Sequence, residues 1–128
     1  MQTRPNAITL KGNGLTLVGP HLKAGDTAPD FTCATGMTET LSLAQTGAKK
    51  RLFSVVPSLD TKVCSIQTKK FNDELAKLGD GVECYTVSLD LPFAMGRFCG
   101  AEGITAMKNL SDTHNHSFGQ NYGVLIQG

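Results

Sequence analysis

The chain has 128 residues, of which 40% are hydrophobic, and this size and composition favour one folded domain with a sizeable core. Its 12 basic and 11 acidic residues are not collected into blocks, so nothing predicts binding to nucleic acid or to an anionic membrane. Residues 1–6 lack the apolar core of an export signal, and no apolar run is long enough to span a bilayer. We therefore expect a single domain, residues 1–128, in the cytoplasm, where the four cysteines are more often catalytic, redox-sensing or metal-bound than disulfide-linked.

Strand patterns dominate the first half of the chain. Apolar and polar residues alternate on both sides of residues 11–14, which predicts an N-terminal β-hairpin. Short extended segments are expected at 31–34 and 41–43. The apolar run 52–56 ends at Pro57 and predicts a strand that is buried on both faces, in the centre of a sheet.

Helical and strand patterns alternate in the second half. Apolar residues at i, i+4 and i+7 predict a helix over 63–78 that Gly79 ends. The remaining predicted elements are a strand at 82–89, a helix from 93 to Cys99, a short strand at 107–110, a helix at 117–122 and a strand that starts at 124. This alternation predicts an α/β sandwich built from βαβ units.

Cys64 is placed in the first turn of a predicted helix, directly after the apolar strand. Unpaired N–H groups and the helix dipole at that end favour a negative charge, and the thiolate is the reactive form of cysteine. The Thr61 hydroxyl is in a position to cap the helix, or to hydrogen-bond a thiolate or an oxygen substrate. Pro57 fixes the exit of the strand and shields the site. Each residue also has a purely structural interpretation: a small buried side chain, a helix cap and a strand terminator.

Other chemistry for the cysteines is less well supported. A zinc site that adds His114 and His116 lacks a C-x-x-C or other short ligand pair, and the same absence disfavours a disulfide oxidoreductase. A cysteine hydrolase built from Cys64, a histidine and Asn115 stays open, although nothing places either histidine beside the thiol and both are expected in a turn. Cys84 alternates onto one face of its predicted strand, where a core-filling role is expected.

The spacing Pro-x-x-x-Thr-x-x-Cys, formed by Pro57, Thr61 and Cys64, resembles the active-site signature of peroxiredoxins. Further matching segments are 54–61, 63–64, 67–68, 71–72, 89–94 and 97–103. Residues 12–13, 16–17, 25–31 and 122–124 extend the match to nearly the whole chain. Together they are similar to the bacterial thiol peroxidases, the atypical two-cysteine peroxiredoxins. The resemblance implies a thioredoxin-like three-layer sandwich with an N-terminal β-hairpin, and reduction of hydroperoxides without a metal or another cofactor.

The resemblance also implies residue roles. Cys64 would be the peroxidatic cysteine, whose thiolate attacks the peroxide and becomes a sulfenic acid. Cys99 would be the resolving cysteine, closing an intramolecular disulfide that thioredoxin reduces. Phe93 either lines an apolar substrate groove or packs in the core. A homodimer is expected, and because both cysteines lie on predicted helices, disulfide formation requires local unwinding.

The chain departs from the family at its C-terminus. Thiol peroxidases continue past the point that matches Gly128 with a strand whose arginine pairs with the peroxidatic thiolate, then a partner strand and a closing helix. The resemblance therefore predicts a C-terminally incomplete domain that lacks the final hairpin and helix, with no arginine in that role, since Arg97 belongs to the resolving-cysteine motif. Losing one preorganised donor costs about 100- to 1,000-fold in rate. The alternative function is thus a catalytically impaired redox-responsive or interaction module. The strand at 52–56 is expected to have an open edge, so that the chain is either incompletely packed or finds the missing strand contacts in an oligomer.

Overall fold

The computed structural model describes residues 2–36, 38–47, 50–77 and 81–127. Within these ranges the strands are β1 (Thr3–Leu10), β2 (Asn13–Val18), β3 (Thr32–Ala34), β4 (Thr40–Ser42), β5 (Lys50–Val55), β6 (Val82–Ser88), β7 (Met107–Ser111) and β8 (Leu125–Ile126). The helices are α1 (Lys62–Leu75), α2 (Pro92–Glu102) and α3 (Ser117–Asn121), and a 3-10 turn at Ala44–Thr46 was not predicted.

The strands form two sheets. The larger sheet has the order β4-β3-β7-β6-β5, and its β5-β6 and β6-β7 pairs are parallel. Because parallel neighbours need a crossover, α1 and α2 connect these pairs as two βαβ units, which confirms the predicted α/β architecture. The smaller antiparallel sheet has the order β1-β2-β8, so the N-terminal hairpin receives a third strand from the end of the described chain.

The hairpin turn is tighter than the segment 11–14 that the sequence pattern indicated. Lys11 (φ 51°) and Gly12 (φ 82°) form a two-residue turn, and Leu10 pairs with Asn13. Positive φ at both central positions gives a turn whose twist matches that of the flanking strands. Asn13 and Gly14 therefore belong to β2 rather than to the loop.

Both faces of the larger sheet are covered. On β6, Tyr85 and Val87 pack with Phe31 and with Phe118 of α3. The alternate residue Cys84 points to the other face, where it packs in a cluster that also includes Leu75 of α1. The sheet consequently lies between α1 and α2 on one side and α3 on the other, which agrees with the expected three layers.

The prediction for β5 was wrong in one respect. The apolar run was expected in the centre of a sheet, but β5 is the last strand of the order, and within the described ranges it pairs with β6 alone. Leu52 is 36% exposed and Val55 is 40% exposed, so neither side chain is fully buried. The open edge expected from the family comparison is present in this part of the chain.

Helix α1 begins at Lys62 and ends at Leu75, whereas the pattern indicated 63–78; Leu78 and Gly79 lie outside the described residues. Its buried face consists of Cys64, Thr68, Asn72 and Leu75. Two of these residues are polar, which the apolar periodicity did not show. No helix among the described residues has the length and apolar character needed to cross a lipid bilayer.

Candidate active site

Cys64 lies in the first turn of α1, as predicted. The amide of Val56 donates to the carbonyl of Val87 (2.9 Å) and extends the β5-β6 ladder by one residue, and Pro57, which has no N–H, follows. The helix then begins at Lys62, so Cys64 is its third residue. Its side chain is 9% exposed and packs against Leu59 and Met95. The third residue of a helix lies in the turn whose backbone amides have no partner within the helix.

Thr61 occupies the N-cap position of α1, with extended φ and ψ of −101° and 147°, but its side chain makes no cap hydrogen bond. The expected capping role is therefore wrong. Instead, the hydroxyl donates to the carbonyl of Ser58 at 3.0 Å. Because its one hydrogen is used there, the remaining hydrogen-bonding capacity of Thr61 Oγ1 is that of an acceptor.

A carboxylate that had no assigned role holds the segment before α1. Asp90 Oδ1 accepts from the hydroxyl of Ser58 at 2.6 Å, and Oδ2 accepts from the backbone N–H of Leu59 at 2.7 Å. The hydroxyl of Ser88 also donates to Oδ2 at 2.9 Å. Asp90 lies inside a segment that matched the family motif, but its function depends on a contact across 31 and 32 positions of sequence that no local pattern reveals.

Cys99 lies on α2, and its thiol contacts β7 in this structure. Its thiol donates to Asn109 Oδ1 on β7 at 3.3 Å, and its side chain packs in the cluster that contains Cys84. Cys64 belongs to a separate cluster, and Phe98 packs against both. Both cysteines are free thiols. The structure therefore places the two proposed redox residues on neighbouring helices as free thiols in separate clusters.

Pro57 borders an apolar cavity of about 480 Å³ at the carboxyl end of β5 and β6. The residues that line it come from both sheets, from the segments after β5 and β6 and from α3, and include Ile8, Leu17, Val55, Val87, Leu89 and Phe118. Phe93 is 61% exposed and is not among the lining residues. Its interpretation as a core residue is thus wrong, and its role toward a substrate stays a prediction.

The chain resembles characterised proteins over most of its length. The family model described as Redoxin matches residues 23–128. A thiol peroxidase of Bacillus subtilis (strain 168) is 53% identical over 120 residues, which are 94% of this chain and 71% of the relative. The chain belongs to the thiol peroxidase family. A second relative, the thiol peroxidase of Streptococcus pneumoniae (strain ATCC BAA-255 / R6), is 49% identical over 93% of this chain and 72% of its own length.

Solved structures confirm the thioredoxin-like peroxiredoxin fold. A peroxiredoxin-like protein from Aquifex aeolicus superposes with a TM-score of 0.84 at 42% identity, covering 96% of this chain and 71% of that one. A thiol peroxidase from Chromobacterium violaceum has a TM-score of 0.74 at 21% identity, over 89% of this chain and 66% of that one, and supports the fold alone.

The other two cysteines have the environment of core residues. Cys33 is 1% exposed and Cys84 is 3% exposed. Burial raises the pKa of Cys84 to about 11, and burial together with the neighbouring carboxylate of Asp112 raises the pKa of Cys33 further. A higher pKa disfavours the reactive thiolate, so the core-filling role predicted for Cys84 is confirmed.

The histidines and arginines lie outside the Cys64 segment. His114 is exposed in the turn after β7, as expected, and no group of three or more metal-ligating side chains occurs within the described ranges. Arg4 donates to the carbonyls of two glycines beside the small sheet, and Arg51 donates to Thr46 Oγ1 at 2.6 Å. Arg97 is exposed on α2.

Proposed function

We propose that the chain reduces hydroperoxides, with Cys64 as the attacking thiolate and Cys99 as the resolving thiol. The observation that carries this proposal is the position of Cys64 in the first turn of α1, behind Pro57 and Thr61. The chain that holds this arrangement is itself 53% identical over 120 residues to a thiol peroxidase of Bacillus subtilis. A helix N-terminus favours the anion that the reaction needs, and the burial of Cys64 limits competing chemistry.

The reaction has two steps that balance within the chain. The Cys64 thiolate attacks the terminal peroxide oxygen, the O–O bond breaks, and Cys64 becomes a sulfenic acid. The alkoxide or hydroxide that leaves takes up the proton that Cys64 released to solvent when its thiolate formed, which gives the alcohol or water. Cys99 then attacks the Cys64 sulfur, the S–O bond breaks, and water leaves as the disulfide forms. The two thiols have together supplied the two electrons that reduce the peroxide.

Residues around the thiol support substrate orientation. Thr61 Oγ1, whose hydrogen is donated to Ser58, accepts from the hydroxyl of the hydroperoxide and directs the terminal oxygen at Cys64. Phe93 is exposed beside the start of α2 and offers an apolar surface to the organic part of the substrate. Pro57 closes the end of β5 without adding a competing donor.

Thioredoxin is the proposed reductant, and the proposed assembly is a homodimer. A thioredoxin thiolate attacks the Cys64–Cys99 disulfide, forms a mixed disulfide and is displaced by its own second thiol, which restores both cysteines. Large apolar side chains are exposed in and just before the first two turns of α1 and α2: Val63 (75%), Ile66 (55%), Leu91 (56%) and Phe93 (61%). Exposed apolar surface of this kind supports a contact between two copies. Free thiols are consistent with a reducing compartment such as the cytoplasm.

The second candidate is an impaired redox-responsive or interaction module. It is favoured by the positions of the described guanidinium groups, since Arg4 and Arg51 bond to other segments and Arg97 is exposed. Without a cation at the developing charge, the Cys64 thiolate would react with peroxide at a rate close to that of an ordinary thiol.

Peroxide consumption in the presence of thioredoxin, thioredoxin reductase and NADPH tests both candidates. We expect turnover by the wild-type chain, none by Cys64→Ser, and a single turnover per chain by Cys99→Ser. Cys84→Ala, which removes a buried thiol outside the proposed site, serves as the control and retains turnover. Turnover by Cys64→Ser would contradict the proposal that Cys64 reduces the peroxide. A wild-type rate equal to that of a free thiol would favour the second candidate, the impaired redox-responsive or interaction module.

A further inference from the structure

We propose that Asp90 is a positioning residue for peroxide reduction, which acts by fixing the direction of the Thr61 hydroxyl through the segment at Ser58 and Leu59. The proposal rests on the proposed function of Cys64. It assigns a role to a side chain that lies on the segment between β6 and α2, outside the Pro57–Cys64 motif.

Two buried serines hold Asp90 in place. Ser88, which is 2% exposed at the end of β6, donates its hydroxyl to Asp90 Oδ2 and accepts from the Asp90 amide at 3.1 Å. Ser111, 1% exposed at the end of β7, donates to the Asp90 carbonyl at 2.5 Å. Two adjacent strands thus anchor the residue, and rigid elements give the most accurate positioning.

The Asp90 carboxylate in turn holds the segment before α1. Its two oxygens accept from the Ser58 hydroxyl (2.6 Å) and the Leu59 amide (2.7 Å), so both the side chain and the backbone of this segment are tied to the sheet. The Leu59 side chain is 4% exposed and packs against Cys64. The segment is therefore fixed from Asp90 on one side and from the core on the other.

Ser58 connects this segment to Thr61, the residue proposed to orient the peroxide. The Ser58 carbonyl accepts from the Thr61 hydroxyl at 3.0 Å and from the Thr61 amide at 3.4 Å. Displacing Ser58 releases the Thr61 hydroxyl hydrogen, and Oγ1 then loses its fixed orientation as an acceptor for the peroxide. The effect is specific to a substrate that donates a hydrogen bond to Thr61.

The carboxylate is matched to its donors. Three donors, two hydroxyls and one amide N–H, converge on its two oxygens. An asparagine offers one acceptor oxygen, and its NH₂ group would face at least one donor. We therefore expect Asp90→Asn to lower the rate constant of Cys64 with hydrogen peroxide by about 10-fold, because the reacting groups are no longer aligned.

The test compares two reagents on the reduced 128-residue chain. Iodoacetamide needs the thiolate but no hydrogen bond donated to Thr61 Oγ1, so we expect its rate at Cys64 in Asp90→Asn to stay within about 3-fold of wild type. Because Asp90 acts through Thr61, adding Asp90→Asn to Thr61→Val should cause no further loss of the peroxide rate. Equal losses with both reagents, or losses that multiply in the double variant, overturn the proposal.

The chain offers a matched control. Asp30 also accepts two backbone amides, from Phe31 (2.8 Å) and Leu43 (3.2 Å), in a turn away from the Cys64 segment, so Asp30→Asn should leave both rates unchanged. If Asp90→Asn fails to fold, Ser58→Ala removes one donor and keeps the carboxylate, and should show the same reagent selectivity at smaller amplitude. A wild-type chain that reacts with peroxide no faster than a free thiol would instead refute the proposed function.

Discussion

Replacing Gly103 with alanine should accelerate closure of the disulfide. Gly103 follows the last residue of α2 with φ 68° and ψ 30°, and its amide bonds the carbonyl of Cys99. The amide of Ile104 bonds the same carbonyl at 3.0 Å. This cap therefore holds the turn that carries the resolving thiol, and that turn must open before the Cys99 sulfur leaves Asn109 and reaches Cys64.

The magnitude follows from the backbone conformation. An added Cβ at Gly103 would meet no atom within 4 Å, so conformational strain is the main cost of the alanine. A residue with a Cβ in the left-handed region costs about 1–2 kcal/mol, which is relieved when the turn opens. This energy corresponds to an opening equilibrium about 5- to 30-fold more favourable. If closure depends on a rapid opening step, its rate rises by the same factor.

The assay measures the fate of the sulfenic acid. The chain has no tryptophan, so intact mass after rapid quenching replaces fluorescence. With a fixed concentration of dimedone present, each Cys64 sulfenic acid becomes either a dimedone adduct or a disulfide, and the ratio reports the closure rate even where the first step is slow. Gly103→Ala should shift the ratio toward the disulfide.

The control is Gly12→Ala in the hairpin turn, where φ is 82° and the added Cβ also meets no atom within 4 Å. This variant carries comparable strain at a distance from α2 and should leave the ratio unchanged. A Gly103→Ala ratio that is unchanged, or shifted toward the dimedone adduct, would refute the reasoning that opening of the α2 end limits closure.

Three further predictions concern stability. The pKa of Cys84 is raised from 9.0 to about 11 and that of Tyr85 from 10.0 to about 12, so the folded chain keeps protons that the unfolded chain loses. Stability present at pH 8 should therefore decline as the pH rises from about 9 to 12, and Cys84→Ala should flatten the lower part of that decline in urea unfolding. Met95→Ala should lower the free energy of unfolding by about 2–5 kcal/mol, because the side chain is 0% exposed, whereas Met95→Leu should cost less than about 1.5 kcal/mol; equal losses would contradict the packing described. The open edge of β5 should make the unfolding midpoint rise with chain concentration, and a strict monomer with a concentration-independent transition would contradict it.

Sequence reasoning located the thiol but not the contacts that orient it. The position of Cys64 could be predicted because it depends on local sequence patterns: an apolar run that Pro57 ends and a helical pattern after it. The structure has a strand and a helix at these places. The direction of the Thr61 hydroxyl depends on competition between the helix end and the Ser58 carbonyl. Asp90 holds Ser58 by a hydrogen bond from a residue 32 positions away, and no periodicity in the sequence predicts this contact.

The errors on β5 and α1 have the same origin. A continuous apolar run predicts a strand with neighbours on both sides. Which strands lie beside it depends on the topology of the sheet, and in the described chain β5 pairs with β6. On α1 the buried position of Asn72 is explained only by its partners, since its Oδ1 accepts from the amides of Thr105 at 3.1 Å and Ala106 at 2.7 Å. Buried polar groups are almost always hydrogen-bonded, and the periodicity of apolar residues in the sequence does not predict which residues form those bonds.

The central claim is that Cys64 and Cys99 form one redox pair. Intact mass of the reduced chain after one equivalent of hydroperoxide tests it most directly. The account predicts the loss of two hydrogens, mapped by peptide analysis to a Cys64–Cys99 disulfide and abolished by changing either residue to serine. A chain that stays reduced, or a disulfide that instead contains Cys33 or Cys84, would contradict it.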